Sequence, residues 1–174
     1  MTARNFNPFP VLKTKRLTLR QLISSDENEI FALRSNDNLN KYLDRQPGKS
    51  IDDAKIFIQT INENIKKNDS IYWAITLNST DKLIGTICLF DFSEENLKVE
   101  IGYELLPGFQ GQGIMQEAAL KVIDYGLKDI GVNSIEAYTH FENRSSMRLL
   151  EKLNFKKYTN VESDFIAFKL TAND

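Results

Sequence analysis

The sequence predicts an α/β (α+β) protein of seven strands and four helices, in the order β-α-α-β-β-β-α-β-α-β-β. Three observations carry that expectation. Apolar residues alternate with period 2 along RLTLRQL and LKVEIGYEL, the pattern of half-buried strands. They recur at helical spacing behind Ser50 and behind Asn143. A glycine-rich turn, GFQGQG, divides LKVEIGYEL from a long helical pattern.

The first strand places Leu17, Leu19 and either Gln21 or Leu22 on one face. SSDENEIFALRS supplies Ser25 as an N-cap, acidic residues in the first turn and apolar Ile30 and Leu33, which predicts a short helix. Ser50 and Asp53 approximate a capping box for the second helix, where Ala54, Phe57, Ile58, Ile61 and Ile65 form the apolar stripe. IYWAITL and LIGTICLFD, joined by the polar loop NSTDK, read as an antiparallel hairpin. In the next strand Leu97, Val99, Ile101, Tyr103 and Leu105 share one face, so Glu100, Gly102 and Glu104 take the other. IMQEAALKVIDYGLKDIG predicts one helix closed by Gly131. SIEAYTH is a strand, Asn143 caps the last helix, Asn154 ends it in the left-handed region, and the tail forms two strands around a polar turn.

A chain of 174 residues, 41% hydrophobic and 26% charged, has the size and composition of one globular domain spanning 1–174. Basic and acidic side chains number 22 and 24, so no basic field is available to hold nucleic acid. One cysteine and one histidine supply neither a disulfide nor a multi-ligand metal site. No signal-type or membrane-length apolar run occurs, which leads to the expectation of a cytoplasmic, metal-free protein that is a monomer or a homodimer.

A glycine turn between a strand and a helix start exposes unpaired backbone N–H groups at the positive end of a helix dipole, a setting for an anion. The dinucleotide fingerprint is broken by Gln116, where it needs a small residue. The phosphate-binding loop of nucleotide hydrolases is broken by Gly113-Ile114-Met115, where it needs Gly-Lys-Ser/Thr. A pyrophosphate held without metal by amides from about Gly111 to Met115 survives, beside the plain alternative of a turn without a ligand.

Four stretches in order resemble the GNAT superfamily of N-acetyltransferases, within it the branch that acetylates ribosomal-protein N-termini. TKRLTLRQL is similar to that branch's opening strand, VEIGYEL to its central strand, FQGQGIMQEA to its acetyl-CoA pyrophosphate loop, and NRSSMRLLEKLNF to its Asn-x-x-Ser helix. The resemblance covers nearly the whole chain. It implies the GNAT fold, with a mixed, mostly antiparallel central sheet of about seven strands and four helices. It further implies acetyl-CoA as co-substrate, pantetheine beside Leu105 and Leu106, and pyrophosphate on Gln110, Gly111, Gln112, Gly113, Ile114 and Met115. The chain departs from the pattern at Met115, often a small residue; at Leu150, where many members carry a tyrosine acid; and at Asn154, usually glycine.

Amide formation needs a proton acceptor for the amine and stabilisation of the departing thiolate. The resemblance brings Glu100 near the acceptor amine as base, directly or through water, and Ser146 near the sulfur; Asn143 both caps its helix and reaches the pantetheine arm. Their bland alternatives are a solvent-facing carboxylate for Glu100 and plain helix capping for Ser146 and Asn143. Tyr103 reads as a core or rim aromatic, His140 as a loop histidine of open role, and Cys88 as a small buried hydrophobe. The implied activity is transfer of the acetyl group to a primary amine in a ternary complex, such as a protein N-terminus. The alternatives are a small-molecule amine as acceptor, or a non-catalytic CoA-binding regulatory domain. The acceptor wall is expected around KYLDRQPGKSIDD, where Tyr42, Asp44 and Asp52 can meet a cation.

Overall fold

A computed structural model describes residues 4–95, 97–158 and 163–173. The strands are β1 (Leu12–Lys13), β2 (Leu17–Arg20), β3 (Ile71–Leu77), β4 (Leu83–Ser93), β5 (Lys98–Leu105), β6 (Ser134–His140), β7 (Lys156–Tyr158) and β8 (Phe165–Thr171). The helices are α1 (Glu27–Ser35), α2 (Asp37–Asn40), α3 (Ile51–Lys66), α4 (Ile114–Asp124) and α5 (Arg144–Lys152). All eight strands form one sheet in the order β1-β2-β3-β4-β5-β6-β8-β7, antiparallel at every step but β5–β6.

This is the expected fold class with two small additions, the two-residue β1 and the four-residue α2, both too short to leave a periodic signal. The turn expected between β7 and β8 lies partly outside the described residues. Alternation along β3 divides the core. Ile71, Trp73 and Ile75 join α4 and α5 in the main cluster, while Ala74 faces Ile30 and Leu33 of α1 and Ala54 and Ile58 of α3. Trp73 is fully buried and donates its indole N–H to Pro10 O at 2.8 Å, so its polar atom is satisfied.

Local chemistry explains the helix ends. Ser50 Oγ accepts from Asp53 N, and Asp53 reaches back to Lys49 N, a capping box displaced by one residue. Ser25 is not the cap expected of it: it lies in a single 3-10 turn, Ser24–Asp26, and α1 begins at Glu27. Asp26 instead accepts from Ile23 N and holds Arg20 at 2.8 Å, because a buried carboxylate is more strongly bound by a guanidinium than by a helix end alone. The helix expected to run to Ile130 is α-helical only to Asp124 and finishes in a π-turn, Tyr125–Ile130, closed at Gly131 with φ 80°. Asn154 adopts φ 65° after α5, as its tolerance of the left-handed region predicts.

Candidate active site

β5 and β6 pair only from Lys98↔Ser134 to Glu100↔Glu136; beyond that β5 continues against β4 and β6 against β8. The two strands therefore part at Glu100. A cleft of 590 Å³ lies alongside the parted strands, walled by Tyr103, Glu104 and Leu105 of β5, the glycine turn, α4, α5 and the α2 region.

At one end stands the glycine turn. Gly111 and Gly113 both have φ 74°, a conformation that side-chain-bearing residues resist, and a Cβ at Gly111 would meet nothing within 4 Å. The first α4 bond runs from Glu117 N to Gly113 O at 3.1 Å, so the N–H groups of Ile114, Met115 and Gln116 precede the helical ladder. The side chains of Gln110 and Gln112 brace the turn instead of pointing at a ligand, donating to Leu105 O at 2.9 Å and Gly108 O at 3.1 Å. From the β1–β2 connection, Arg16 donates to Gln112 O at 3.0 Å and to Glu117 Oε2 at 2.6 Å; Glu117 Oε1 accepts from Thr14 Oγ1 and Arg16 N. Burial alone would raise the Glu117 carboxyl, but these donors hold it below the usual range.

Leu105, Gln110, Gly111, Gly113, Ile114, Met115, Asn143 and Ser146 all line the cleft. Gln112 turns its carbonyl to Arg16, and Leu106 turns to the second core beside α1 and α3. Both were expected at the cofactor. Leu106 is one residue beyond Leu105, so strand alternation carries it to the opposite face.

Across the cleft, Asn143 Oδ1 accepts from Ser146 N at 3.2 Å, capping α5. This leaves Ser146 Oγ free of the capping task, and it lies 2.8 Å from the Tyr103 hydroxyl. Burial raises Tyr103 to about 12 against the opposing hydrogen bond to Ser146, so its phenol stays protonated at neutral pH. Tyr103 packs against the main core and lines the cleft, in keeping with the core or rim aromatic expected; it shares a face with Leu105. Leu150, at the position of the missing tyrosine acid, is buried in the core.

Glu100 lies on the opposite face of β5, at the point where the strands part, and outside the cleft lining. Burial, then Asp91 and Glu136, raise its carboxyl from the ordinary 4.5 to about 7. Two residues nearer the cleft than Gly102, Glu104 pairs with Arg45 at 2.5 Å; both side chains are under a fifth exposed. Nothing in the sequence ties these two together, since they are joined only when the segment after α2 folds over β5.

Tyr42 lines the cleft, whereas Asp44 and Asp52 are exposed, Asp52 lying 3.8 Å from Lys55. His140 accepts from Glu142 N at Nδ1 and packs between Phe141 and Tyr42, outside the cleft lining. Burial pushes the Cys88 thiol up to about 12, which suits a packed hydrophobe rather than a nucleophile. Among the described residues no cluster of three His, Cys, Asp or Glu is arranged to hold a metal, and no helix is long and apolar enough to cross a membrane.

Residues 16–156 match the Acetyltransferase (GNAT) domain family. The chain belongs to the GNAT acetyltransferases. These enzymes use acetyl-CoA, and the GNAT domain here is that of an N-acetyltransferase. The chain is 37% identical over 149 residues, 86% of its length and 84% of the other's, to the "Uncharacterized N-acetyltransferase YoaA" of Bacillus subtilis (strain 168). Two solved GNAT structures share the fold at lower identity. The RimL ribosomal L7/L12 alpha-N-protein acetyltransferase with coenzyme A has TM-score 0.83 and 17% identity, covering 93% of this chain and 98% of that one. Spermidine N-acetyltransferase from Vibrio cholerae, in complex with CoA and spermine, has TM-score 0.81 and 22% identity, covering 92% and 98%.

Proposed function

We propose that this GNAT enzyme binds acetyl-CoA along the cleft and transfers its acetyl group directly to the primary amine of a protein N-terminus. The observation that carries the reading is the parting of β5 and β6 between the glycine turn and the Tyr103–Ser146 pair. Free N–H groups at the turn suit a pyrophosphate, and the open space over Gly111 leaves room for it. Leu105 and Asn143 border the path of the pantetheine arm. Acetyl-CoA supplies the thioester that the amine attacks.

Glu100 takes a proton from the amine on the other side of the parted strands, directly or through one water. A carboxyl near 7 is a stronger proton acceptor than an ordinary glutamate and keeps about half of its population ionised at neutral pH. The C–N bond forms as the C–S bond breaks, and the Ser146 hydroxyl, backed by Tyr103, donates a hydrogen bond to the thiolate, which leaves as CoA and takes a proton from solvent, as Glu100 returns its own proton to solvent.

The cleft lining itself offers little to a polycation, while on the far face an acceptor amine would meet Glu100 with Asp91 beside it. Among the described residues lining the cleft, Glu104 is the one carboxylate, and Arg45 neutralises it. A polyamine would need unpaired carboxylates there. An acceptor panel of N-terminal ribosomal-protein peptides, polyamines, amino acids and aminoglycosides, followed by thiol release from acetyl-CoA, tests the reading. Turnover is expected with peptides; preferred turnover of spermine or spermidine overturns the acceptor assignment, and thiol release with no acceptor in the panel while CoA binds tightly favours a regulatory domain.

A further inference from the structure

Glu100 stands between two other carboxylates. The β5–β6 register sets Glu136 directly opposite it, and Asp91 comes from the irregular stretch of β4 between Phe90 and Ser93. Like charges facing each other across a ladder destabilise each other, so this arrangement needs compensation. Glu136 receives nearly all of it. The residue is 4% exposed; Lys98 Nζ lies 2.8 Å from its Oε2, Tyr158 donates to Oε1 at 2.8 Å, Tyr138 donates to Oε2 at 3.1 Å, and Lys169 stands 4.0 Å away. Three donors and the more distant Lys169 ammonium, from four strands, converge on a carboxylate outside the cleft, while Glu100 faces the like charges.

We propose that Glu136 and Asp91 are positioning residues that set the basicity of Glu100, with Lys98 acting against them. This rests on Glu100 being the base. The physical device is a split pair: one carboxylate is fixed as the anion by its donors, and its field makes the neighbouring carboxylate hold its proton more tightly. Burial would raise Glu136, but Lys98 and Tyr158 keep its carboxyl below the usual range. The other titratable groups facing the pair are Cys88 on β4, which stays protonated, and Lys156 on β7, opposite Lys169. Glu100 thereby gains proton affinity without any residue of the cleft being spent on it.

The test reads Glu100 itself. Titrating 13C-labelled glutamate carboxyl carbons by NMR follows every side chain, and the Glu100 resonance is the one that vanishes in Glu100→Gln. In Asp91→Asn and Glu136→Gln its midpoint should fall by about one pH unit, and in Lys98→Met it should rise. Asp91 is exposed, so its variant folds even if the buried Glu136→Gln does not. A structural role alone would not move the midpoint in opposite directions. Equal midpoints in all variants overturn the proposal. Shifted midpoints with an unmoved acid limb of kcat/KM for a peptide acceptor uphold the charge coupling and sink only the assignment of Glu100 as base.

Discussion

The Tyr103 hydroxyl lies 2.8 Å from Ser146 Oγ, tying the splayed part of β5 to the first turn of α5 across the cleft. In the proposed mechanism this pair serves the leaving sulfur, since Leu150 is buried in the core and offers no acid. Because Asn143 caps α5 through the Ser146 amide, Ser146→Ala leaves the cap intact. It should lower kcat by about 10²-fold, the usual loss for a single donor to developing charge. Acetyl-CoA affinity should stay nearly constant. Tyr103→Phe should lower kcat less, and the double variant should be no worse than Ser146→Ala, since the two hydroxyls act in series. Rapid-quench turnover beside CoA titration measures both; unchanged kcat in Ser146→Ala rules out its role at the sulfur.

Glu100→Gln should remove the acid limb of the kcat/KM profile near pH 7 as well as slow turnover, because only the ionised carboxylate accepts a proton. Stability changes in the opposite sense. The folded carboxyl titrates near 7 and the unfolded one near 4.5, so between those values the folded chain binds more protons and stability falls as pH rises. Glutamine escapes that loss. Above pH 7 the variant should be about 1 kcal/mol more stable after allowance for solvent screening, and at pH 4 it should match the native protein. Thermal melts at the two pH values read the difference; a variant less stable at pH 8 contradicts the raised carboxyl.

Alternation and capping made most of the fold readable, because each long strand and helix repeats its signal several times. The β5 alternation correctly separated Glu100 from Tyr103, and Asn143 and Asn154 bound α5 as their chemistry predicts. What escaped depends on contacts between distant segments. Arg16 reaches Gln112 and Glu117 across about a hundred residues, and Arg45 reaches Glu104 only through the fold of the α2–α3 connection. Ser25 failed as a cap for a related reason, since Arg20 drew Asp26 into the core beside it. The GxG turn was legible as a left-handed turn at a helix start, but its two glutamines were not legible as braces.

Arg45 and Glu104 form a pair from which water is largely excluded, their side chains 17% and 12% exposed. Removing one partner leaves the other buried without its counter-charge, at a cost of roughly 3 kcal/mol. Arg45→Met should therefore lower Tm by roughly 6–12 °C for a chain of this size. Arg45→Met combined with Glu104→Gln should recover most of that loss, because the lone buried charge is gone. The single variant should also admit cationic acceptors that the native cleft disfavours. Melting curves of the three proteins and the acceptor panel on Arg45→Met test both effects; an unchanged Tm would show that the pair is solvated.

The glycine turn gives the sharpest separation of binding from folding. Gly111 has φ 74° with open space where a Cβ would stand, so Gly111→Val meets backbone strain of about 1–2 kcal/mol but no clash inside the protein. The valine side chain would instead occupy space above the free N–H groups of the turn. Losing one hydrogen bond to a charged phosphate costs about 1.5–3 kcal/mol, roughly tenfold to a hundredfold in Kd. Acetyl-CoA should weaken by that factor, while acetyl-pantetheine, which has no pyrophosphate, should bind Gly111→Val and the native enzyme alike. Glu117→Gln, which loosens the hold of Arg16 on Gln112 and Glu117, should show the same contrast in milder form. Calorimetric titration with the two thioesters decides the matter: equal losses for both would mean that the turn shapes the cleft as a whole and does not hold the pyrophosphate.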